Sequence, residues 1–250
     1  MKTRDKILNF ALPLFTVAVI IGLWATTAKA VDSEYILPNI GETLSALKKL
    51  FKSAEFYRAF FGTLLRSVIA FAISYLLAFC TALLSYKSEK ARRALKPVIV
   101  IVRALPTIAV VLLLVVWTNS RIAPVIVTFL VVFPTLYNNL YAALSGIDKK
   151  LDEMCTVFGV NNKKRLKKVV FPQIAPEFIT SAGAGLTLNL KLMVAAEVLS
   201  QTARSMGYLL NTSKVYFEIS TMLALVLITV VAGLIIEWAF GFWTKRTVKK

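Results

Sequence analysis

Polar and apolar positions along the 250 residues separate into blocks instead of interleaving. Apolar runs cover Leu8–Ala28, Thr63–Leu84, Val98–Trp117, Ile122–Leu144, Ile174–Leu199 and Thr221–Trp243. A helical run of about 18 or more such residues crosses a hydrocarbon core of about 30 Å. Outer-membrane strands would show instead about 10 residues of alternating polarity. The pattern therefore predicts an all-α integral membrane protein, a single domain over residues 1–250 with six transmembrane helices. Pro13, Pro106, Pro124 and Pro134 fall in or at the ends of these runs, which membrane helices tolerate when neighbours satisfy the freed backbone groups. Between the first two runs, Leu44, Leu47, Leu50, Phe51 and Ala54 recur at helical spacing around Lys48, Lys49 and Lys52. That is the signature of an amphipathic helix lying on the outer membrane face.

Composition agrees with this class. Hydrophobic residues make up 58% of the chain and the mean hydropathy is +0.71, against about 45–50% apolar residues in soluble domains. The net charge of +17 is unevenly placed. Alternate connections hold Lys2, Arg4 and Lys6; Lys87, Lys90, Arg92, Arg93 and Lys96; Lys149, Lys150, Lys163, Lys164, Arg165, Lys167 and Lys168; and Lys245, Arg246, Lys249 and Lys250. The opposite connections are poorer in Lys and Arg, so the positive-inside rule puts both termini in the cytoplasm. A nucleic-acid surface would need a soluble domain to present it, and no connection is long enough; no nucleic-acid partner is expected. The first run, after MKTRDK and before Ala28-Lys29-Ala30, has the outline of a secretory signal. Its length and the five runs that follow favour a retained helix.

Much enzyme chemistry is excluded by residue type. The chain has no histidine, which removes Ser–His–Asp catalysis and histidine-based metal sites. Cys80 and Cys155 lack metal-ligand spacing. There is no GxxxxGK[ST] phosphate loop, so the chain is not itself a P-loop ATPase. No catalytic residue, metal or cofactor is expected. Gly183 and Gly185 in SAGAGLTLN read as small residues that allow close helix approach.

Five charges lie in or at the ends of the runs: Arg66, Arg103, Lys191, Glu197 and Glu237. Insertion scales put a central charge at a cost of about 2.5–3.5 kcal/mol, so such groups face protein, water or headgroups. Arg66 and Glu237 sit where snorkelling to the interface is the simpler reading. Arg103, Lys191 and Glu197 either line a pathway or pair between helices. Trp24, Trp117, Trp238 and Trp243, near run ends, read as interface anchors.

The most informative polar segment is EMCTVFGVNNKKRLKKVVFP, from Glu153 to Pro172, within the connection 145–173. Leu151–Phe158 predicts a short helix with Asp152 and Glu153 in its first turn, where the helix dipole favours acids. Gly159 suits the left-handed position that ends such a helix. A second helix starts near Lys163, and Pro172 steers the chain into the fifth run. Met154, Val157 and Phe158 project on one side, as in a helix laid into a partner's groove.

This spacing resembles the EAA loop of binding-protein-dependent ABC import permeases: Glu-Ala-Ala, three residues, Gly, nine residues, Ile-x-Leu-Pro. Glu153, Gly159 and Pro172 match; Val169 and Phe171 stand for Ile and Leu; Met154 and Cys155 replace the two alanines. YILPNIGETLSAL, GTLLRSVIAFAISYLLA, RALPTIAVVLLLVVW and AAEVLSQTARSMGYLL are similar, in order, to segments of the nitrate/sulfonate/taurine branch, although Ile40 replaces a proline. The resemblance implies a type I (MetI-like) importer fold and a translocation pathway for a small anion or vitamin precursor. It implies as partners a second permease copy (homodimer or heterodimer), two cytoplasmic ABC ATPase subunits, an external solute-binding protein and membrane lipid. Glu153, Met154, Cys155, Val157, Phe158, Gly159 and Pro172 would carry the ATPase coupling. The amphipathic segment after the first run would then be an alternative contact for the binding protein. The competing readings are an ATPase-independent transporter or channel, which should show matched repeats or broken helices, and a non-transporting membrane scaffold.

The charge asymmetry makes topology testable. Single cysteines at Ser33 and Ser53, in a Cys80→Ser/Cys155→Ser background, should react with an impermeant maleimide in intact cells. Cysteines at Ser88 and Asn161 should react only after lysis; labelling of Asn161→Cys from outside would reverse the orientation.

Overall fold

The structure is a computed structural model that describes the backbone of residues 2–248, with side chains from residue 12 onward except at positions 13, 149, 152, 156, 162 and 248. Every regular element among these residues is helical: α1 (Lys2–Val31), α2 (Ile40–Lys52), α3 (Ala54–Lys87), α4 (Glu89–Ala104), α5 (Thr107–Trp117), α6 (Ala123–Ser145), α7 (Lys149–Val157), α8 (Asn162–Arg165), a π-helical turn (Leu166–Val170), α9 (Phe171–Ser200), α10 (Met206–Val215) and α11 (Ile219–Val248). The chain divides into two compact units, one of Met1–Tyr57 with Leu209–Ile228 and one of Arg58–Tyr208 with Thr229–Lys250.

In the first unit, α1 presents Leu14, Phe15, Ile20 and Leu23 outward, as a lipid-facing helix does. Trp24 Nε1 donates to the Pro38 carbonyl at 3.1 Å, fixing the chain that leaves α1. The sequence Leu-Pro-Asn then starts α2 with a reciprocal cap. Asn39 Oδ1 accepts from the Glu42 amide at 2.9 Å, and Glu42 Oε2 accepts from the Asn39 amide at 2.8 Å, satisfying donors that a helix start leaves free. Thr43 and Ala46 form the buried face of α2 while Leu44 and Phe51 stay exposed. The helix ends at Ser53, whose extended backbone separates it from α3.

The second unit holds the core. Ala78 and Ala82 of α3, Ile99 of α4, and Val132, Leu136, Leu140 and Leu144 of α6 are buried together. Ile174, Phe178, Leu188 and Leu192 of α9 pack against them. A smaller cluster joins Val111 of α5, Val127 of α6 and Ala196 of α9. Helix α9 lies along α6 more extensively than along any other element. Hydroxyls bind helices across this apolar interior, with Tyr137 Oη on Ser85 Oγ at 2.9 Å and Tyr75 Oη on the Phe178 carbonyl at 3.1 Å.

Two prolines shape the helices in opposite ways, and the first departs from the sequence expectation. The third run, Val98–Trp117, is not one helix: α4 and α5 meet at a bend of 92°. Leu105 is extended (φ −66°, ψ 130°) because the ring of Pro106 bars the helical region to the residue before it. Helix α5, with 11 residues, rises only about 16 Å. Among the described residues, five helices are continuous and apolar enough to span, and the broken pair makes a sixth only if counted together. Pro172 does not break the chain at all. The helix runs through it from Lys163 to Ser200, widened beforehand into a π turn in which the Phe171 amide bonds the Leu166 carbonyl. That wider turn accommodates the missing proline N–H and the ring that would strike the carbonyl four residues back.

Close approach within α9 depends on glycine. A Cβ on Gly185 would stand 2.6 Å from Leu136 Cδ2, and one on Gly183 2.6 Å from Phe240 Cβ, while at Gly241 it would meet nothing. Gly185→Val should therefore lower the detergent-solubilised melting temperature, costing on the order of 1–3 kcal/mol. Gly241→Ala should leave it within error; equal melting of the two variants would show that α9 does not need this contact.

Candidate functional site

The connection between α6 and α9 is a structured hairpin. Its first arm, α7, is capped by Asp148, whose Oδ1 accepts from the Lys150 amide at 2.8 Å. The base is clamped by Gln173, which accepts from the Asp148 amide at 3.0 Å and donates to the Val169 carbonyl at 3.0 Å. At the tip, Gly159 adopts φ +60° and the Val160 amide reaches back to the Cys155 carbonyl at 2.9 Å. This six-to-one closure needs a left-handed residue at its turn, a conformation glycine takes without steric cost. Asn161 then opens α8, its Oδ1 accepting from the Lys163 amide at 3.0 Å.

The hairpin sorts its side chains by face. Cys155 is buried, whereas Val157 and Phe158 are 83% and 76% exposed and Met154 is also exposed. Glu153 and Pro172 are exposed. The side chain of Asp152, expected beside Glu153 in the first turn, lies outside those described. Met154, Val157 and Phe158 thus form an exposed apolar edge on a lysine-rich hairpin.

A second constellation lies inside the unit formed by Arg58–Tyr208 and Thr229–Lys250. Glu197 is fully buried. Its Oε1 accepts from Arg66 Nε at 2.8 Å and from the Arg66 terminal nitrogen at 2.7 Å. Its Oε2 accepts from Thr63 Oγ1 at 2.7 Å and from the Gly207 amide at 3.4 Å. Thr63 Oγ1 in turn accepts from the Met206 amide at 2.9 Å. The Glu197 carbonyl also receives the Thr202 amide at 3.1 Å, closing α9 at Gln201, which is left-handed (φ 50°). Gly207 is obligatory here, since a Cβ would overlap Glu197 and stand 2.5 Å from the Val198 amide nitrogen.

Arg66 thus turns inward to Glu197 and does not snorkel, because a buried carboxylate is a stronger partner than the interface. Lys191 and Arg103 are exposed, and neither enters an ion pair among the described residues. Arg103 instead lines a cavity between α4 and α6. Sequence reasoning missed Thr63, Gly207, Asp148 and Gln173. The first two could have been sought from the rule that a buried carboxylate needs each oxygen bonded; the clamp by Gln173 left no such signal.

Removing one partner of a buried ion pair strands the other, at about 3–5 kcal/mol. Arg66→Met and Glu197→Gln should each reduce detergent-solubilised stability, Arg66→Met the more, because it leaves a carboxylate buried without its cation. The double variant should recover part of the loss. Additive losses in thermal unfolding would mean the two groups act independently.

The hairpin, the α3–α9–α10 knot and the broken α4–α5 pair together outline a transporter subunit, and comparison with known proteins gives the family. Residues 70–249 match the family described as binding-protein-dependent transport system inner membrane component. The chain is 23% identical over 218 residues to the putative aliphatic sulfonates transport permease protein SsuC of Bacillus subtilis, covering 86% of this chain and 79% of that one. It is 22% identical over 233 residues to the taurine transport system permease protein TauC of Escherichia coli, covering 90% and 84%. Among solved structures, the inward-facing MetNI methionine ABC transporter superposes with a TM-score of 0.65 at 16% identity over 77% of this chain and 96% of that one, a likeness of fold. The chain belongs to the binding-protein-dependent transport system inner membrane components, as a multi-pass membrane subunit of an ATP-driven importer and a transport component with no enzyme chemistry of its own.

Proposed function

We propose that the hairpin Glu153–Pro172 is where a cytoplasmic ATPase drives this permease, and that the solute carried is a small organic anion of the sulfonate and taurine kind. The observation that carries the coupling reading is the exposed apolar edge of Met154, Val157 and Phe158 on a hairpin clamped at its base by Gln173 and bent at its tip by Gly159. A docking element that transmits force must be stiff and must be joined to a spanning helix. Here α8, the π turn and α9 form one uninterrupted helix of 38 residues, so displacement at the tip is delivered along α9.

Residue roles follow from this. Val157, Phe158 and Met154 enter the partner's groove, where apolar side chains at helical spacing give binding. Glu153 offers a charge at the exposed face of α7. Cys155 packs inward and holds α7 against its own hairpin. Pro172 and the π turn set the angle at which the hairpin joins α9. The solute class rests on the sulfonate and taurine transport named for the relatives. In the same reading the permease works as a pair of copies, identical or related, with two ATPases and an extracytoplasmic binding protein, and both of its termini lie in the cytoplasm.

Gly159→Pro should uncouple the transporter without unfolding it, because proline holds φ near −65° where the bend uses +60°. Nothing lies within 4 Å of a Cβ there, so the effect would come from backbone direction and not from crowding. With the cognate ATPase co-expressed, membrane abundance should stay normal while ATPase association or solute-stimulated hydrolysis falls by about tenfold, the equivalent of 1.4 kcal/mol of docking energy. Unchanged association and transport would reduce the hairpin to a connector.

A further inference from the structure

The cavity between α4 and α6 has a volume of about 490 Å³. One wall is a stripe of α4 carrying Arg92, Lys96, Val100 and Arg103; the other is Tyr137, Asn138 and Tyr141 of α6. Both helices belong to the same compact unit.

The charges in the cavity do not balance. The single acid, Glu89, is taken up at one end, bonding Arg92 at 2.8 and 2.7 Å and Arg93 at 3.2 Å. Arg92 is further held with its guanidinium carbon 5.9 Å from the centre of the Tyr141 ring. Lys96 and Arg103 have no ion pair among the described residues. The Asn138 side chain, half-buried on the facing helix, has no hydrogen-bond partner among the described residues. Tyr137 contributes only its ring, because its hydroxyl is spent on Ser85. Two cations and a carboxamide are therefore left facing one space without an anion.

The floor adds a second requirement. Ile99 and Val100 line the same cavity as the cations; Val100 is exposed beside Val98 and Ile101. A hydrated inorganic ion would leave that apolar wall wet. A ligand with an oxyanion at one end and hydrocarbon at the other satisfies both walls, since guanidinium and ammonium donors match phosphate or sulfonate oxygens and the alkyl part covers Ile99 and Val100.

We propose that this cavity binds an amphiphilic oxyanion, with its phosphate or sulfonate group held by Lys96, Arg103 and Asn138 and its apolar part against Ile99 and Val100. Lys96 and Arg103 lie seven residues apart on one helix, about 10 Å along its axis, so the group sits between them and draws on both. Two sources share this chemistry: the headgroup of an anionic phospholipid and an alkanesulfonate. The inference rests on the cavity's donors and is independent of the coupling assigned to the hairpin.

The test uses the full-length permease in a neutral detergent. Three probes are titrated by native mass spectrometry: dioleoylphosphatidylglycerol, decanesulfonate and, as the uncharged-headgroup control, dioleoylphosphatidylcholine. Lys96→Gln/Arg103→Gln should weaken the binding anionic probe about tenfold or more, as expected when charge-assisted hydrogen bonds are lost. Lys87→Gln/Lys90→Gln, which removes equal charge outside the cavity, should change it little. Retention of phosphatidylglycerol identifies lipid as the source, and retention of decanesulfonate identifies a free alkanesulfonate as the source. Equal weakening in both variant pairs, or no difference between anionic and neutral probes, overturns the proposal. If the cavity variant aggregates, acetylation of the unaltered protein decides. The binding probe should slow acetic anhydride modification of Lys96 and leave Lys90 unaffected; equal rates at both lysines with and without probe would overturn it.

Discussion

A carboxylate buried in an apolar helix bundle is stable only when every oxygen has a donor, and Glu197 meets that condition through two separate stretches of chain. Arg66 and Thr63 come from α3, and the Gly207 amide comes from the start of α10. The bond network also includes the backbone, since the Thr202 amide returns to the Glu197 carbonyl and the Met206 amide to Thr63. One side chain therefore sets where α9 ends, how the chain turns and where α10 begins. Replacing the pair by apolar residues of similar volume would keep the packing, but it would lose the directional bonds that select this turn over others. The tight fit of Gly207 against Glu197 follows from the same constraint.

The proline positions divide the spanning helices by a second constraint. Pro106 follows a residue that must be extended, so the third apolar run folds as two helices at a steep angle. Pro172 sits where the helix has already widened into a π turn, so the chain passes through it without a break. The first leaves a short helix beyond the break. The second joins the hairpin rigidly to α9. A proline is thus a hinge or a rigid joint according to whether the preceding turn can absorb the missing hydrogen bond.

The two features bear on transport in complementary ways. A subunit that performs no bond chemistry needs a stiff element to receive motion and a pathway whose charges match its cargo. The hairpin clamped by Gln173 has the stiffness the first would need, and the backbone angle at Gly159 sets its direction. The cations of α4 lie on an exposed helix face whose only acid, Glu89, is already engaged. Exposed hydrophobic side chains on α1 and α11, among them Phe15, Ile20, Leu234 and Trp238, are what a lipid-facing surface requires and need no further partner to explain them.

The membrane class, the helix count to within one, the amphipathic α2 and the hairpin with its glycine bend were legible in the residues, because each depends on local rules. Hydrophobic run length reports spanning helices, and Gly159 between an acidic helix and a basic one reports a left-handed turn. The break at Leu105–Pro106 was written in the same dipeptide but was outweighed by the unbroken hydrophobicity around it. What only the tertiary structure decided is pairing across distance. Arg66 and Glu197 stand 131 positions apart, and the sequence contains other intramembrane charges, Arg103 and Lys191, that were equally eligible. Nor does any local rule say that Gln173 closes the hairpin or that Lys96 and Arg103 face Asn138. The physical reason is that helix periodicity reveals which side of a helix is apolar, while the rotation and depth of one helix against another are set by packing of side chains from both, as where Gly185 admits Leu136.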